Sequence, residues 1–127
     1  MTAARPGPIL LGVVKLKRAY EPAARADGYR VLVERLWPRG VRKEALPLDA
    51  WAKDVAPSTG LRKWYGHELE RWPEFRRRYL AELKGGPAAG ALEELTGRAA
   101  KGTVTLVFSA HDAEHCNATV LKELLES

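Results

Sequence analysis

Three apolar runs in this sequence each end in polar or charged side chains that could bind an anion. The side chains that follow these runs are Arg18, Tyr20, Arg35, Trp37, Arg39, Ser109 and His111. Guanidinium groups donate paired hydrogen bonds to phosphate and carboxylate, and a charge at the end of a buried run needs a partner or a ligand. The pattern therefore predicts a binding site for a small anionic ligand, with a phosphate-bearing compound as the best match.

The most distinctive run covers residues 31–33 (VLV), and Glu34 and Arg35 follow it directly. Consecutive apolar and β-branched residues are typical of a strand that is buried on both faces, as in a parallel sheet. Continued alternation would place Arg35 and Trp37 on one face and Glu34 on the other. A turn at Pro-Arg-Gly is then expected to end the strand and to leave Arg39 just beyond it.

The elements that must position these side chains alternate between strand-like and helical patterns. Strands are predicted at residues 9–17, around 31–33 and at 103–110, with a short extended piece at 51–55; helices are predicted at 59–65, 72–83, 88–100 and 113–126. This order favours a single compact α/β domain with a small, mainly parallel sheet of about four strands flanked by helices. Residues 1–8 are predicted to form a flexible arm, and residues 9–127 the domain.

Two predicted helix starts could complete the site. Ser58 is a plausible N-cap for the helix at 59–65, which carries Arg62. Asp112 is expected to cap the last helix, so that free N–H groups at residues 109–112 would favour an anion. Asn117 lies near the first turn of that helix and needs a partner from a neighbouring loop or from a ligand. Because the carboxyl ends of parallel strands meet at one edge, these groups are expected to lie together there.

Composition is compatible with this interpretation and with an alternative one. The chain has 127 residues, is 46% hydrophobic and carries a net charge of +5, which indicates one globular domain that favours anionic partners. The alternative is a nucleic-acid-binding or regulatory module that uses an exposed basic surface. That surface would consist of Arg62, Lys63, Arg71, Arg77 and Arg78. A purely structural interpretation instead joins four polar side chains in an internal network: Glu34, Arg35, Arg76 and Asn117.

Cys116 is the one cysteine, which excludes an intramolecular disulfide and fits a reducing, cytoplasmic compartment. His111 and His115 lie near it, but such a group often arises by chance, so neither a metal site nor a cofactor is predicted. No apolar run is long enough for a membrane span, and no membrane partner is expected. Ser109, His111 and Glu34 could act as acid, base or nucleophile, but no spacing assigns these roles and catalysis is left open.

Several longer runs also resemble a known family. In chain order they are DGYRVLVERLWPRG, APSTGLRKWYGH, EFRRRYLAEL and VTLVFSAHD. Together they resemble the YeaO-like bacterial proteins, a branch of the proteins called domain of unknown function 488, from about Leu11 to Leu125. The resemblance implies a compact single α/β domain and brings no catalytic assignment with it.

The family pattern falls on many of the residues selected above. It maps onto Arg18, Tyr20, Gly28, Arg35, Trp37, Pro38, Arg39, Gly40, Pro57, Ser58, Arg62, Phe75, Arg76, Tyr79 and Ser109. Glu34 stands where the family usually has Asp, His111 where it has Lys, and Cys116 where it has Asn. The change at Cys116 argues against a shared cysteine nucleophile, and the change at His111 argues against a simple lysine-to-anion contact.

Overall fold

Four parallel strands form one sheet in this computed structural model, which describes residues 13–127. The strands are β1 (Val14–Arg18), β2 (Tyr29–Leu32), β3 (Ala50–Trp51) and β4 (Val104–Phe108), and their order across the sheet is β1-β4-β2-β3. The helices are α1 (Thr59–Tyr65), α2 (Trp72–Glu82), α3 (Gly86–Lys101) and α4 (Asn117–Glu126). The predicted α/β domain with a small parallel sheet flanked by helices is confirmed.

The two central strands are buried on both faces, as their apolar sequences predict. Val31 and Leu32 of β2 and Leu106 and Val107 of β4 have no exposed surface. On one face, Val31 and Leu106 join a core to which all four helices contribute. On the other face, Leu32 and Val107 pack under loop residues that include Leu46. Irregular segments thus provide the second cover that a parallel sheet requires.

A buried ionic cluster lies on the loop-covered face, and the sequence interpretation missed it. Lys17 of β1 and Arg30 of β2 both bind the carboxylate of Asp27, at 2.9 Å and 2.6 Å. Although burial raises the pKa of Asp27, hydrogen bonds from Lys17, from the Ala24 amide and from Arg30 lower it to about 2. Thr105 of β4 donates a hydrogen bond of 2.7 Å to the backbone carbonyl of Asp27. Asp27 therefore connects three strands.

Gly28 leaves this cluster with a backbone that only glycine adopts easily. Its φ is 63°, and a Cβ atom there would collide with the carbonyl oxygen of Thr103. The close approach lets the Tyr29 amide donate to that same carbonyl at 2.9 Å, directly before β4. Glycine at this position thus sets the start of β2 beside the start of β4.

Two predicted boundaries of helices and strands need correction, and a third lies outside residues 13–127. The arm at residues 1–8 and the predicted strand start at residue 9 lie outside the described residues. β1 continues to Arg18, one residue beyond its predicted end at Lys17. The helix predicted at 88–100 begins at Gly86, because Pro87 occupies its first turn instead of only ending α2. Within residues 13–127, no helix is long and apolar enough to cross a bilayer.

The last helix also begins later than predicted. Asp112 does not cap it: the Asp112 carboxylate accepts hydrogen bonds from the amides of Glu114 and His115, at 2.9 and 3.2 Å, in a non-helical turn. Its other oxygen lies 2.8 Å from Nδ1 of His115. α4 begins only at Asn117. The helix predicted to begin near residues 109–112 therefore does not begin there, and those residues do not offer the free N–H groups of a helix start.

Candidate functional site

The chain leaves β2 and β4 at the same edge of the sheet, where a carboxylate and a serine join the two strands. Oε2 of Glu34 accepts a hydrogen bond from the Ser109 backbone amide at 2.8 Å, and Oε1 accepts one from the Ser109 hydroxyl at 2.7 Å. Both donors of Ser109 are thus already engaged. Ser109 lies at the predicted edge, but it stabilises the strand ends instead of offering its hydrogens to an anion.

A cavity of about 580 Å³ opens at this edge. It brings together six of the predicted site residues: Arg35, Trp37, Arg39, Arg62, Ser109 and Asn117. Four predicted site residues do not line it: Arg18, Tyr20, Ser58 and His111. The prediction of a site at the carboxyl ends of the strands therefore has a physical counterpart in an open cavity, although not every selected side chain belongs to it.

The charges around this cavity are unbalanced. Arg35, Arg39, Arg62 and Lys63 line it, and Glu34 is the one acidic residue among its described lining residues. Glu34 bonds Ser109 and forms no ion pair with those cations, and its single negative charge leaves a net excess of positive charge. The side chains of Arg39, Arg62 and Lys63 make no ion pair with another described residue. Such an excess of cations at a concave surface attracts anions.

Arg35 has a structural contact as well as a place in the cavity. Its Nε donates to the carbonyl of Pro57 at 3.3 Å, and its Nη2 donates to the carbonyl of Ala56 at 3.1 Å. These bonds connect the end of β2 to the segment that precedes α1. No acid within residues 13–127 pairs with Arg35, so its positive charge remains available to the cavity.

The internal network proposed from the sequence does not form. Arg76 pairs instead with Glu123, at 2.6 Å, on the exposed side of α2. Asn117 donates from Nδ2 to the carbonyl of Val33 at 2.8 Å and so fixes the start of α4 to the end of β2. Neither side chain bonds Glu34 or Arg35. The strand ends are therefore not closed by polar groups that satisfy only one another.

Trp37 lines the cavity, although strand alternation does not continue as far as that residue. β2 ends at Leu32, and the chain bends over residues 34–36. Trp37 consequently packs with Leu32, on the loop-covered face, and its ring lies edge-on to Trp51 at 5.4 Å. The expectation that strand alternation continues to Trp37 is wrong because the bend interrupts the period of two.

Arg18 and Tyr20 support the strand ends from outside the cavity. Arg18 donates from Nε to the carbonyl of Ala110 at 3.0 Å and from Nη2 to that of Ser109 at 3.1 Å. Its guanidinium carbon lies 4.9 Å from the centre of the Tyr20 ring. The Tyr20 hydroxyl in turn donates to the backbone carbonyl of Arg39 at 3.4 Å. These contacts position the segments that carry Ser109 and Arg39.

Ser58 acts as the predicted N-cap of α1. Its Oγ accepts a hydrogen bond from the Leu61 amide at 3.2 Å and donates one to Glu82 at 2.6 Å, which fixes α1 against the end of α2. His111 is exposed, outside the cavity, and its prediction as a ligand contact finds no support in the cavity geometry.

Several lining residues were not predicted as part of the site. They include Lys63, Tyr65, His67, Phe75 and Cys116. Lys63 directly follows Arg62 in the sequence. Two consecutive cations close to a predicted helix start are the signal that could have placed Lys63 among the site residues. Burial raises the pKa of the Cys116 thiol and that of the Tyr65 hydroxyl, which disfavours either as an ionised nucleophile. Within the described residues, no group of three or more His, Cys, Asp or Glu could hold a metal ion.

Comparison with known proteins identifies the family. A family model described as "Inactive DUF488-N3 subclade" matches residues 13–127. The chain belongs to that family. It is 44% identical over 114 residues to the uncharacterized protein YeaO of Escherichia coli, covering 90% of this chain and 97% of that protein.

Mycobacterial relatives show a similar degree of identity. The uncharacterized proteins Mb3100c of Mycobacterium bovis and Rv3073c of Mycobacterium tuberculosis are each 45% identical over 112 residues, which is 88% of this chain and 92% of theirs. No solved structure matches. The resemblance to the YeaO-like branch of domain of unknown function 488 is thus confirmed.

Proposed function

We propose that this protein binds a small anionic ligand, best matched by one that bears phosphate, in the cavity at the carboxyl ends of β2 and β4. The observation that carries the proposal is the set of four cationic side chains that line this cavity: Arg35, Arg39, Arg62 and Lys63. One acid, Glu34, accompanies them, and it is held by Ser109. The single cysteine, unpaired and buried, supports a reducing compartment such as the cytoplasm.

Binding without catalysis is the form of the proposal that the side chains favour. A general base or nucleophile must have a free, reactive group near the ligand. Burial raises the pKa of the Cys116 thiol, which keeps it protonated. The description of the matching subclade as inactive supports the same interpretation.

The exposed basic surface is a weaker candidate site for nucleic acid. Arg77 and Arg78 both bind the carboxylate of Glu74, at 2.6 and 2.7 Å, so part of their charge is neutralised on the helix itself. Arg71 donates to the backbone carbonyl of Trp64. A phosphate backbone would have to compete with these contacts, whereas the side chain of Arg39, which belongs to the cavity alone, has no such partner among the described residues.

A titration with simple anions tests the proposal. Thermal unfolding and calorimetry are run with phosphate and sulfate against chloride at equal ionic strength, so that general screening is matched. We expect a saturable, phosphate-dependent rise in Tm, since a ligand that binds the folded state at 100 times its Kd stabilises it by about 2.7 kcal/mol. Arg39→Gln and Arg62→Gln should reduce this rise, whereas Arg25→Gln and Arg42→Gln, at exposed positions outside the cavity, should not.

Substitutions on the exposed basic surface test the nucleic-acid alternative. Arg77→Gln with Arg78→Gln should leave phosphate stabilisation unchanged. If instead those two substitutions abolish binding to an oligonucleotide whose affinity falls steeply with salt, and no small anion raises Tm, the basic surface is the functional one.

A further inference from the structure

The cavity is larger than a bare anion requires, and its lining is not purely cationic. From this we infer that its ligand is a phosphate joined to a flat ring, as in a nucleoside monophosphate, with His67 and Leu36 contacting the ring. The inference rests on the proposed anion site and specifies what else the ligand must carry.

The first argument is size. The cavity volume of about 580 Å³ falls within the range of roughly 300–1,000 Å³ that holds cofactor-sized or drug-sized ligands. A water molecule occupies about 30 Å³ of liquid volume, and a phosphate ion only a few times that. An isolated phosphate would therefore contact one part of the wall and leave the rest hydrated. A ligand with a ring attached would fill more of the space.

The second argument is the apolar part of the wall, which includes Leu36, Pro38 and Pro57. The Leu36 side chain is 60% exposed, although it is a large aliphatic residue. An exposed leucine is ordinary by itself. Here it lies in the same cavity as the cations, so a ring could cover it while the phosphate reaches an arginine.

The third argument is the backbone of His67. Among residues 13–127, His67 is the one non-glycine residue with a positive φ, 61°, and it directly follows Gly66, whose φ is 51°. Left-handed backbone is costly for a residue with a side chain, and such strain is typical of functional positions. His67 lines the cavity and its ring lies 5.9 Å from the ring of Tyr65. An exposed imidazole held in this way can stack on a planar group of the ligand.

The experiment uses calorimetry on the intact protein to compare phosphate-bearing ligands with and without a ring, and with uncharged nucleosides. The ligands are inorganic phosphate, phenyl phosphate, the four ribonucleoside 5′-monophosphates and the corresponding nucleosides. We expect phenyl phosphate or a nucleotide to bind at least about tenfold more tightly than phosphate, which is the scale of one stacking contact, and nucleosides to bind weakly. If phenyl phosphate equals the nucleotides, the ring alone is recognised; if one nucleotide binds more tightly, the edge of its base is recognised too.

Two variants assign the ring contact to its residues. Leu36→Asn and His67→Gly should each remove several-fold of the advantage of a ring-bearing phosphate and leave the Kd of inorganic phosphate unchanged. Leu69→Asn is the matched control, since Leu69 is 58% exposed but lies outside the cavity.

Different binding results would overturn the ring subsite and the anion site. Equal Kd values for phosphate, phenyl phosphate and nucleotides would overturn the ring subsite and leave the anion site intact. An unchanged preference for ring-bearing phosphates in both variants would overturn the assignment to Leu36 and His67. Absence of binding by every anion would overturn the proposed function itself.

Discussion

Asp27, which precedes β2, and Arg30 of β2 form a buried ion pair on the loop-covered face of the sheet. The distance between Oδ2 of Asp27 and Nη1 of Arg30 is 2.6 Å. Their side chains are 3% and 7% exposed. Lys17 adds a second cation on β1, and Thr105 of β4 bonds the backbone of Asp27. Asp27 therefore joins β1 and β2 through its carboxylate and β4 through its backbone carbonyl.

We expect Asp27→Asn to destabilise the protein severely. The substitution leaves the buried guanidinium of Arg30 without its counter-ion, and breaking a buried pair from one side costs about 3–5 kcal/mol. Urea denaturation measures the change in the free energy of unfolding. Asp54→Asn is the control, because Asp54 is exposed and forms no ion pair with another described residue; it should change stability by less than about 0.5 kcal/mol. A similar loss in both variants would contradict the role given to the cluster.

Stability should also fall with acid in a defined window. The pKa of Asp27 is lowered from 3.8 to about 2, so between these values the unfolded chain binds more protons than the folded one. The stabilisation from Asp27 is therefore complete above about pH 4 and is lost as pH falls towards 2. The pKa of Glu74 and that of Asp112 are also lowered, so these groups add to the pH dependence of stability. Comparison of the wild type with Asp27→Asn isolates the contribution of Asp27. The variant should show a smaller pH dependence of the free energy of unfolding; equal slopes would contradict the assignment.

Arg35→Met should affect both stability and binding. The substitution removes the two hydrogen bonds that Arg35 donates to the carbonyls of Ala56 and Pro57. Each hydrogen bond that involves a charged group contributes about 1.5–3 kcal/mol to stability. It also removes one cation from the cavity, so phosphate should bind more weakly. Arg62→Met should weaken phosphate binding with little loss of stability, because the Arg62 side chain makes no bond to another described residue. Full stability of Arg35→Met in urea would show that the two bonds matter little.

His67→Gly should maintain stability or raise it by up to about 1 kcal/mol. Glycine adopts the positive φ of His67 without the steric cost, and this gain is offset in part by the greater freedom of the unfolded chain. Glu68 provides the neighbouring control: its φ is −86°, so Glu68→Gly should lower stability by about 0.5–1 kcal/mol. Thermal unfolding compares the two variants. A marked loss of stability in His67→Gly would indicate that the imidazole has a structural role.

Local patterns predicted those elements whose chemistry is local. The apolar runs of β2 and β4 and the Ser58 cap were recognised because burial and capping depend on neighbouring residues. The start of α4 was misplaced because an aspartate that caps a turn and one that caps a helix bond the same nearby amides. Nothing near Asp112 in the sequence distinguishes these outcomes.

The predictions for the site also differ according to whether they depend on nearby residues or on distant parts of the chain. Arg39, which follows β2, and Ser109, which follows β4, line one cavity because parallel strands bring their carboxyl ends together; Arg62 lines it from α1. Arg18 ends β1 at the same edge, but its donors are used by two carbonyls, which only the neighbouring position of β4 makes available. The Asp27 cluster was missed for the related reason that it depends on the strand order, with β4 between β1 and β2.

That strand order has a consequence for how the chain folds. β4 is the last strand in the sequence, yet it lies between β1 and β2 and pairs with both, so Val14 is matched with Val104 and Tyr29 with the same residue. Until residues 104–108 have been synthesised, β1 has no neighbour in the described sheet and the bond from Thr105 to Asp27 cannot form. Contacts between such distant parts of a chain are typical of slow folding with high contact order. The sheet is therefore completed by its final strand, and a nascent chain that stops before β4 lacks the element that joins its two halves.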